Sequence, residues 1–302
     1  MRVPVVHHPA YVTPLPAQHR FPMPKFARLL AYLRASGLLL PSQEFVPEPA
    51  PGTWLEFAHE GAYVAAVLEQ RLDAAAIRRL GLPLSPVLAL RGRCAVAGTI
   101  LAARLALEHG LACNTAGGSH HAFAGYGAGF CLFNDVAVAA RLLLAEGLID
   151  RALVIDLDVH QGDGTAAIFA GDPRVVTLSV HCRANFPARK QQSDIDVALD
   201  AGVGDADYLQ AIESLLPAVV DRARPDLVFY NAGVDPHAED RLGRLALSDA
   251  GLAERERYVL SLCRARRLPL ACVVGGGYAD DLDVLARRHA ILHEAIIALP
   301  DW

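Results

Sequence analysis

Short apolar runs that alternate with longer helical patterns constrain the fold of this chain more than any other feature of its sequence. The strand-like runs lie at residues 152–157, 175–180, 227–230 and 270–274, with two weaker ones at 3–6 and 111–114. The helix-like stretches lie near residues 95–109, 134–146, 206–223, 248–267 and 281–298. Strands that are apolar along their whole length and separated by helices are typical of a parallel sheet covered on both faces. The sequence therefore predicts a doubly wound α/β domain.

The chain is expected to form a single domain over residues 1–302. That length suits one large α/β domain or two small ones. No Ser/Gly tract, long charge block or internal repeat divides the sequence. One domain is therefore the predicted organisation.

Charge and cysteine usage indicate a cytoplasmic protein without a nucleic-acid or membrane partner. The formal net charge is −5, which argues against a broad basic surface for nucleic acid. The N-terminus lacks the basic and apolar segments of a signal peptide, and no apolar run approaches the roughly 20 residues that cross a bilayer. The six cysteines are scattered without a C-x-x-C pair, as expected of reduced and buried thiols.

Polar residues cluster directly after three of the predicted strands. The strand at 152–157 runs into DVHQGDG, the strand at 227–230 into NAGVDPHAED, and the strand at 270–274 into GGGY. In open α/β sheets, ligands bind in the crevice beyond the carboxyl ends of the strands. The three loops are therefore predicted to converge on one site.

Asp156, Asp158 and His160 form an alternating pattern at the end of one predicted strand. Side chains alternate across an extended strand, so these three residues share one face. Two carboxylates and an imidazole resist burial unless a cation, such as a divalent metal ion, neutralises the charge. Asp158 and His160 are candidate ligands, with Asp235 as the third, which leaves one position open as in catalytic zinc sites. The alternative is a solvated turn whose aspartates cap the next helix.

The adjacent residues His120 and His121 follow two glycines in the motif GGSHHA. Glycine lets the backbone come close to a substrate or metal ion, and an imidazole that titrates near neutrality makes His121 a candidate general base and acid. Each imidazole needs a partner to fix its tautomer, for which Asp156 and Asp163 are available. The alternative is a polar loop without a catalytic role.

Tyr278 closes the GGGY motif after the last predicted strand. If its phenol points into the site, it can donate a hydrogen bond to an oxyanion that develops on a carbonyl. The alternative is a tyrosine that only closes a turn.

Five motifs occur together in the order and spacing of one known family. They are GGSHHA (117–122), GFCLFNDVAVAA (129–140), DLDVHQGDG (156–164), NAGVD (231–235) and GGGY (275–278). From about residue 19 to residue 293 the chain resembles zinc-dependent histone deacetylase-like enzymes, most closely the bacterial members related to class IV deacetylases. The resemblance implies an arginase–deacetylase fold with an eight-stranded, mainly parallel sheet and helices on both faces.

The resemblance also implies zinc-dependent hydrolysis of an amide by activated water. One zinc ion per chain would bind Asp158, His160 and Asp235. The substrate would be an acylated amine, in the first place the side chain of acyl-lysine in proteins. The alternative substrate is a small acylated amine of the acetylpolyamine type, which the acidic residues Glu239 and Asp240 would favour.

The family's catalytic roles are carried over to five residues of this sequence. His120, paired with Asp156, would act mainly through its charge. His121, paired with Asp163, would carry the proton from water to the leaving amine. Tyr278 would polarise the substrate carbonyl.

The resemblance further implies a substrate tunnel and a structural potassium ion. The tunnel would be lined by Gly129, Phe130, Phe186, Leu242 and Gly276. The potassium ion would be held through side-chain and carbonyl oxygens of Asp156, Asp158, His160, Ser179 and Val180.

Two positions depart from the pattern of class I deacetylases. Gln161 stands where those enzymes usually have a second histidine after the zinc-binding one, which fits the class IV-like grouping. Residues 81–84, GLPL, stand where class I members have an acidic residue that holds the substrate backbone. This second departure puts peptide recognition in doubt but not amide hydrolysis.

Two other classes of protein share part of these features. Residues 162–167 fit the G-x-G-x-x-A of dinucleotide-binding oxidoreductases. In that function, however, Asp163 would place a carboxylate where pyrophosphate binds, and the next strand ends in His181 where a ribose-binding acid is expected. A non-catalytic reader of acylated ligands would not need the full set of base, orienting acids and oxyanion donor. Hydrolysis is therefore the favoured function.

Overall fold

A computed structural model describes residues 3–299 of the chain. Within these residues the chain forms one eight-stranded sheet in the order β2-β1-β3-β8-β7-β4-β5-β6, and neighbouring strands are parallel throughout. The strands are β1 (Val5–Val6), β2 (Glu44–Phe45), β3 (Leu111–Asn114), β4 (Ala152–Asp156), β5 (Val175–Cys182), β6 (Ile195–Leu199), β7 (Leu227–Asn231) and β8 (Leu270–Val273).

Helices connect the strands and cover the sheet. They are α1 (Lys25–Ala35), α2 (Gly52–Leu55), α3 (Gly61–Leu68), α4 (Ala74–Leu80), α5 (Pro86–His109), α6 (Asp135–Ala145), α7 (Asp163–Phe169), α8 (Asp205–Ala223), α9 (Asp249–Ala265) and α10 (Leu282–Ala298), with short 3-10 turns at Pro9–Tyr11 and Pro41–Gln43. Strands β3, β4, β7 and β8 are buried at every residue. Because successive side chains point to opposite faces, both faces of the sheet are covered. The predicted doubly wound α/β fold is confirmed.

Several elements of the fold were not predicted from the sequence. Strand β2 has only two residues, and β6 is a partly exposed edge strand, so neither forms a continuous apolar run. Helices α1 to α4 and α7 were also missed. Helix α5 begins well before the predicted start near residue 95, because Ser85 Oγ accepts a hydrogen bond from Leu88 N at 3.1 Å and Pro86 occupies the first helical position.

Helix α5 is long and apolar enough to span a membrane by length and composition alone. Its most apolar stretch has a mean hydropathy of 1.3, and 72% of that stretch is buried inside the protein. The helix packs on β3, β8 and α6. The expectation that no segment reaches a spanning length is thus corrected, and burial in the core accounts for the apolar character of this helix.

The strand order positions the polar loops. Strands β8, β7 and β4 are neighbours in the middle of the sheet. Asp156, the last residue of β4, is in register with Asn231 of β7 and Ser179 of β5, and Asn231 is in register with Val273 of β8. The three loops that were expected to converge therefore leave the sheet side by side, at the carboxyl ends of neighbouring strands.

Candidate active site

An aspartate–histidine–aspartate cluster lies just beyond the carboxyl ends of β4 and β7. The ligand atoms of Asp158, His160 and Asp235 all lie within 4.8 Å of one another. His160 Nδ1 is 3.0 Å from Asp158 Oδ1 and 3.1 Å from Asp235 Oδ2. All three side chains are buried. The structure thus brings together the three residues predicted to bind a metal ion.

Backbone amides hold both carboxylates of this cluster in place. Gly276 N donates to Asp158 Oδ2 at 2.7 Å, and Val159 N donates to Asp235 Oδ1 at 2.8 Å. A Cβ atom at position 276 would overlap the carboxylate of Asp235 and lie 2.6 Å from Asp158 Oδ2. The GGGY segment therefore approaches the cluster this closely only because residue 276 is glycine.

The electrostatics of the cluster suit a divalent cation. Burial and the neighbouring Asp158 carboxylate raise the pKa of Asp235 to about 7. Burial by itself lowers the pKa of His160, but its contacts with the two carboxylates outweigh burial and raise this pKa to about 10. Both shifts arise because the buried carboxylates favour a positive charge beside them, which either a proton or a bound cation can supply. Two carboxylates and one imidazole are a donor set that accepts zinc.

His120 and His121 belong to one loop but occupy opposite electrostatic environments. His120 Nδ1 lies 2.7 Å from Asp156 Oδ2, and His121 Nδ1 lies 2.6 Å from Asp163 Oδ1. Burial by itself lowers the pKa of His120, but the carboxylates of Asp156 and Asp158 raise it to about 9. Burial, together with the charge of His120, lowers the pKa of His121 to about 4. At neutral pH, His120 is charged and His121 is neutral.

Tyr278 is buried beside the cluster and keeps its phenol free. The planes of its ring and of His160 are perpendicular, with the ring centroids 6.2 Å apart. Its backbone N–H donates to Asp240 Oδ2 at 2.7 Å, whereas its hydroxyl has no hydrogen-bond partner within residues 3–299. Burial and the carboxylates of Asp235 and Asp158 raise the pKa of Tyr278 well above its usual value. The phenol therefore keeps its proton and can donate it in a hydrogen bond.

A cavity of about 350 Å³ lies over the cluster. Four of the five predicted tunnel residues are on its wall, namely Gly129, Phe130, Phe186 and Leu242. The fifth, Gly276, lies deeper, in a small space that Asp158 also lines. Phe186 packs edge-on against His121 with the ring centroids 4.8 Å apart. Aromatic walls above the polar cluster suit an aliphatic chain that ends in a polar group.

The residues predicted to hold a potassium ion also lie close together. Asp156 and Ser179 are register partners on neighbouring strands, and Val180 follows Ser179 on β5. Asp156 Oδ1 accepts hydrogen bonds from Asp158 N at 3.2 Å and from Asn231 Nδ2 at 2.9 Å. The side-chain oxygen atoms of Asp156 thus have protein partners as well.

Asp135 organises the histidine loop and was not predicted to have a role. Its carboxylate accepts hydrogen bonds from Thr99 Oγ1 at 2.6 Å, from Gly118 N at 3.1 Å and from Ser119 N at 2.8 Å. The sequence feature that could have indicated this role is an acidic residue inside the apolar motif GFCLFNDVAVAA, at the first position of α6. Asp135 anchors the backbone directly before His120.

Lys25 supports the GGGY segment and was also missed. Lys25 Nζ donates to the carbonyl oxygens of Gly275 at 2.9 Å and Gly277 at 3.4 Å. Burial lowers the pKa of Lys25 to about 8, so the ammonium stays charged at neutral pH. The sequence feature that could have indicated this role is a lysine between Pro24 and Phe26, at the start of an apolar helix face.

Gln161, which directly follows His160 in the sequence, links two loops. Its Nε2 donates to Gln191 O at 2.7 Å and to Asp196 Oδ1 at 2.8 Å, and its Oε1 accepts from Gln191 N at 2.8 Å. These bonds tie the loop after β4 to the segment that leads into β6. An amide serves this purpose because it both donates and accepts.

The G-x-G-x-x-A segment packs inside the protein. A Cβ atom at Gly162 would overlap the carboxylate of Asp156, and one at Gly164 would overlap the backbone of Ala122. The carboxylate of Asp163 is bonded to His121. These glycines are therefore explained by the packing of α7 against the histidine loop, and the contacts do not favour a dinucleotide site.

We expect Asp135→Ala to destabilise the protein and to reduce its activity. The buried N–H of Gly118 would lose its acceptor, at a cost of about 1–3 kcal/mol, and the partly buried N–H of Ser119 would lose its acceptor as well. Thermal unfolding and the rate of amide hydrolysis would be measured on the same preparation. Asp200→Ala, at an exposed position, serves as the control. Unchanged stability and activity in Asp135→Ala would contradict an anchoring role.

The class of this protein follows from the fold and the arrangement of the site. The structure superposes on the crystal structure of the HDA15 HD domain with a TM-score of 0.80, over 99% of this chain and 90% of that chain, at 22% sequence identity. The single parallel eight-stranded sheet with its helices is the arginase–deacetylase fold.

The family is defined by sequence. Residues 19–294 match the histone deacetylase domain family, and the chain belongs to this family. Family membership supports a deacetylase, and hence a hydrolase, activity.

Three relatives illustrate the range of similarity. An uncharacterized protein of Picosynechococcus sp. is 54% identical over 98% of both chains. Histone deacetylase 2 of Arabidopsis thaliana is 35% identical over 65% of this chain and 54% of its own length. A probable deacetylase of Archaeoglobus fulgidus is 33% identical over 53% of this chain and 47% of its own length. The chain thus matches about half the length of the plant and archaeal relatives.

Proposed function

We propose that this protein is a zinc-dependent amidohydrolase that removes an acyl group from the side chain of acyl-lysine in proteins. The observation that carries the proposal is the buried Asp158–His160–Asp235 cluster, which has two His–Asp pairs beside it and Tyr278 on the wall of the same cavity. Metal binding alone does not need this combination, whereas general acid–base hydrolysis uses every part of it.

Asp158, His160 and Asp235 would hold one zinc ion per chain. A bound zinc ion supplies Lewis acidity that lowers the pKa of water and polarises an amide carbonyl. Three protein ligands leave a position open for water and substrate, as in catalytic zinc sites.

His121 is the proposed proton carrier. Its Nδ1 is bonded to Asp163, which leaves Nε2 free to take a proton from the attacking water. Burial and the charge of His120 lower the pKa of His121, so the imidazole is neutral at neutral pH and its Nε2 carries the lone pair that takes the proton. It would then deliver the proton to the leaving amine, so that the products are a carboxylate and a free amine.

His120 and Tyr278 would stabilise the negative charge that develops during the attack. The hydrogen bond and the charge of Asp156 favour the positively charged form of His120, so its proposed role is electrostatic. Tyr278 would donate its O–H to the oxyanion on the former carbonyl oxygen. The walls formed by Gly129, Phe130 and Phe186 would align the aliphatic chain of the substrate.

A structural potassium ion is the second proposed ion. It would lie at Asp156, Asp158, His160, Ser179 and Val180, which supply side-chain and carbonyl oxygens at the ends of β4 and β5. Its proposed role is to balance the carboxylates that lie next to the zinc ligands.

The structure does not support the hypothesis that acidic residues at the opening select a polyamine. The Glu239 carboxylate is paired with Arg288. The Asp240 carboxylate accepts hydrogen bonds from the backbone amides of Leu242, Gly243 and Tyr278. Neither residue lines the cavity. The expectation that these two acidic residues lie at its opening is therefore wrong.

The proposal is tested with fluorogenic acyl-lysine substrates that range from acetyl to long fatty acyl. We expect turnover that a hydroxamate inhibitor blocks, that chelation removes and that added zinc restores. The order of rates along the series would identify the acyl group. Zinc-loaded protein that hydrolyses no member of the series would contradict an acyl-lysine deacylase.

A further inference from the structure

Four arginines surround the opening of the cavity above the metal-binding cluster. Arg20 precedes α1, Arg78 and Arg79 lie in the last turn of α4, and Arg244 lies between β7 and α9; all four line the cavity. All four are exposed. Three segments that are far apart in the sequence therefore place guanidinium groups around one opening, which we call the arginine rim.

The arginine rim carries an uncompensated positive charge. Within the described part of the chain, residues 3–299, no aspartate or glutamate lines this cavity. Among residues 3–299, none of the four guanidinium groups forms an ion pair, although eleven other arginines of the same part of the chain do. The protein as a whole has a net charge of −5. A local excess of positive charge on an acidic protein creates a potential that attracts anions to this opening.

Local structure explains only part of the arginine rim. Arg78 and Arg79 lie near the C-terminus of α4, where basic side chains interact favourably with the helix dipole, and the Arg79 guanidinium lies 4.6 Å from the centre of the Tyr126 ring. Neither effect applies to Arg20 or Arg244, which lie outside helices. Local structure therefore leaves the clustering of the four arginines unexplained.

A buried amide on the wall of the same cavity offers an acceptor for an N–H group of the ligand. Asn185 lines the cavity and is 6% exposed. Its Nδ2 donates to Leu242 O at 2.6 Å, but its buried Oδ1 has no hydrogen-bond partner within residues 3–299. A buried acceptor without a partner is costly, and a substrate N–H would satisfy it.

We propose that the arginine rim selects acylated amines that carry negative charge outside the tunnel, and that the substrate class is acyl-lysine flanked by aspartate or glutamate. This inference rests on the proposed deacylase function. Guanidinium groups bind carboxylates with paired hydrogen bonds, and a peptide supplies both the carboxylates and an N–H for Asn185. A cationic polyamine, in contrast, would be repelled by the four positive charges of the arginine rim.

The test compares three acetyl-lysine peptides of equal length whose flanking residues are acidic, neutral or basic. We expect kcat/KM to be about tenfold higher for the acidic than for the basic peptide at low salt, which is the scale of one or two exposed ion pairs. Since exposed charges are screened over about 10 Å at 0.1 M salt, the preference is expected to shrink as the salt concentration rises.

Charge reversal at two rim positions provides the decisive comparison. The variant Arg78→Glu/Arg244→Glu is expected to lose or invert the preference while it still hydrolyses the neutral peptide. Arg222→Glu/Arg287→Glu, at exposed positions of α8 and α10 away from the cavity, makes the same change in net charge and is expected to keep the preference.

The possible outcomes separate the two proposals. Equal rates for the three peptides would overturn selection by the arginine rim and leave the deacylase function intact. Free Nε-acetyl-lysine as a better substrate than the acidic peptide would overturn the assignment to a protein segment. If no peptide is hydrolysed with any acyl group from acetyl to long fatty acyl on its lysine, the deacylase proposal fails. In that case fluorescence anisotropy with labelled forms of the three peptides would measure their affinities. Equal affinities would overturn the proposed preference of the arginine rim for acidic peptides.

Discussion

Asp235→Ala is expected to lose the bound metal ion and nearly all hydrolytic activity. The substitution removes one of three ligands from a cluster in which His160 Nδ1 lies 3.1 Å from Asp235 Oδ2. It also leaves Val159 N without the acceptor that it has at 2.8 Å. Loss of an outer-shell partner already costs about 10–100-fold in metal affinity or activity, so loss of a ligand is expected to exceed that range. Zinc content per chain and the rate of amide hydrolysis would be measured together.

Two further variants make this result interpretable. Asp235→Asn keeps the shape of the side chain and one oxygen, so it separates loss of charge from loss of packing. Asp280→Ala removes an exposed carboxylate just after Tyr278 and is expected to keep both zinc and activity. Folding would be followed by circular dichroism. Folded Asp235→Ala protein that retains one zinc ion per chain would remove Asp235 from the ligand set.

Tyr278→Phe is expected to fold normally and to lose about 10²–10³-fold in kcat, the typical cost of removing one oxyanion donor. The ring would keep its contacts with Phe21 and Phe130, whose ring centroids each lie 6.3 Å away. The lost hydroxyl has no hydrogen-bond partner within the described residues 3–299, so no buried protein group is left unpaired. KM is expected to change little, because the proposed bond strengthens only in the transition state.

The control for this variant is a tyrosine away from the cavity. Tyr32→Phe, in α1, makes the same chemical change and is expected to keep the original kcat. The thermal unfolding of both variants would be compared with that of the unmodified protein. Near-normal kcat in Tyr278→Phe would exclude the phenol from the mechanism, whereas a parallel fall in stability and kcat would point to a structural role.

The parts of the site that were predictable share one property: their signal is local in the sequence. The alternation of Asp156, Asp158 and His160 at a strand end can be detected in one short segment. Likewise, the glycines before His120 and those before Tyr278 mark loops that come close to other groups. These residues lie where the carboxyl ends of the strands were expected to place them.

The parts that were missed depend on contacts between distant segments. Asp135 acts on the backbone of Gly118 and Ser119, and Lys25 acts on carbonyl groups near the other end of the chain. Nothing in the immediate sequence of either residue specifies its partner. The arginine rim also depends on distant segments, because Arg20 and Arg244 come to the same opening only once the sheet is assembled. The edge strands β2 and β6 were missed for a different reason, since edge strands need no continuous apolar run.

The central position of β4 in the sheet bears on how the protein opens locally. Local opening starts where backbone hydrogen bonds are exposed and few apolar contacts hold the chain, and it reaches fully buried strands last. Here the edge strands β2 and β6 are partly exposed, whereas β4, β7 and β8 are buried at every residue. The edges of the molecule are therefore expected to fray and re-form before the central strands open, and these central strands are the ones that precede the candidate metal ligands Asp158, His160 and Asp235.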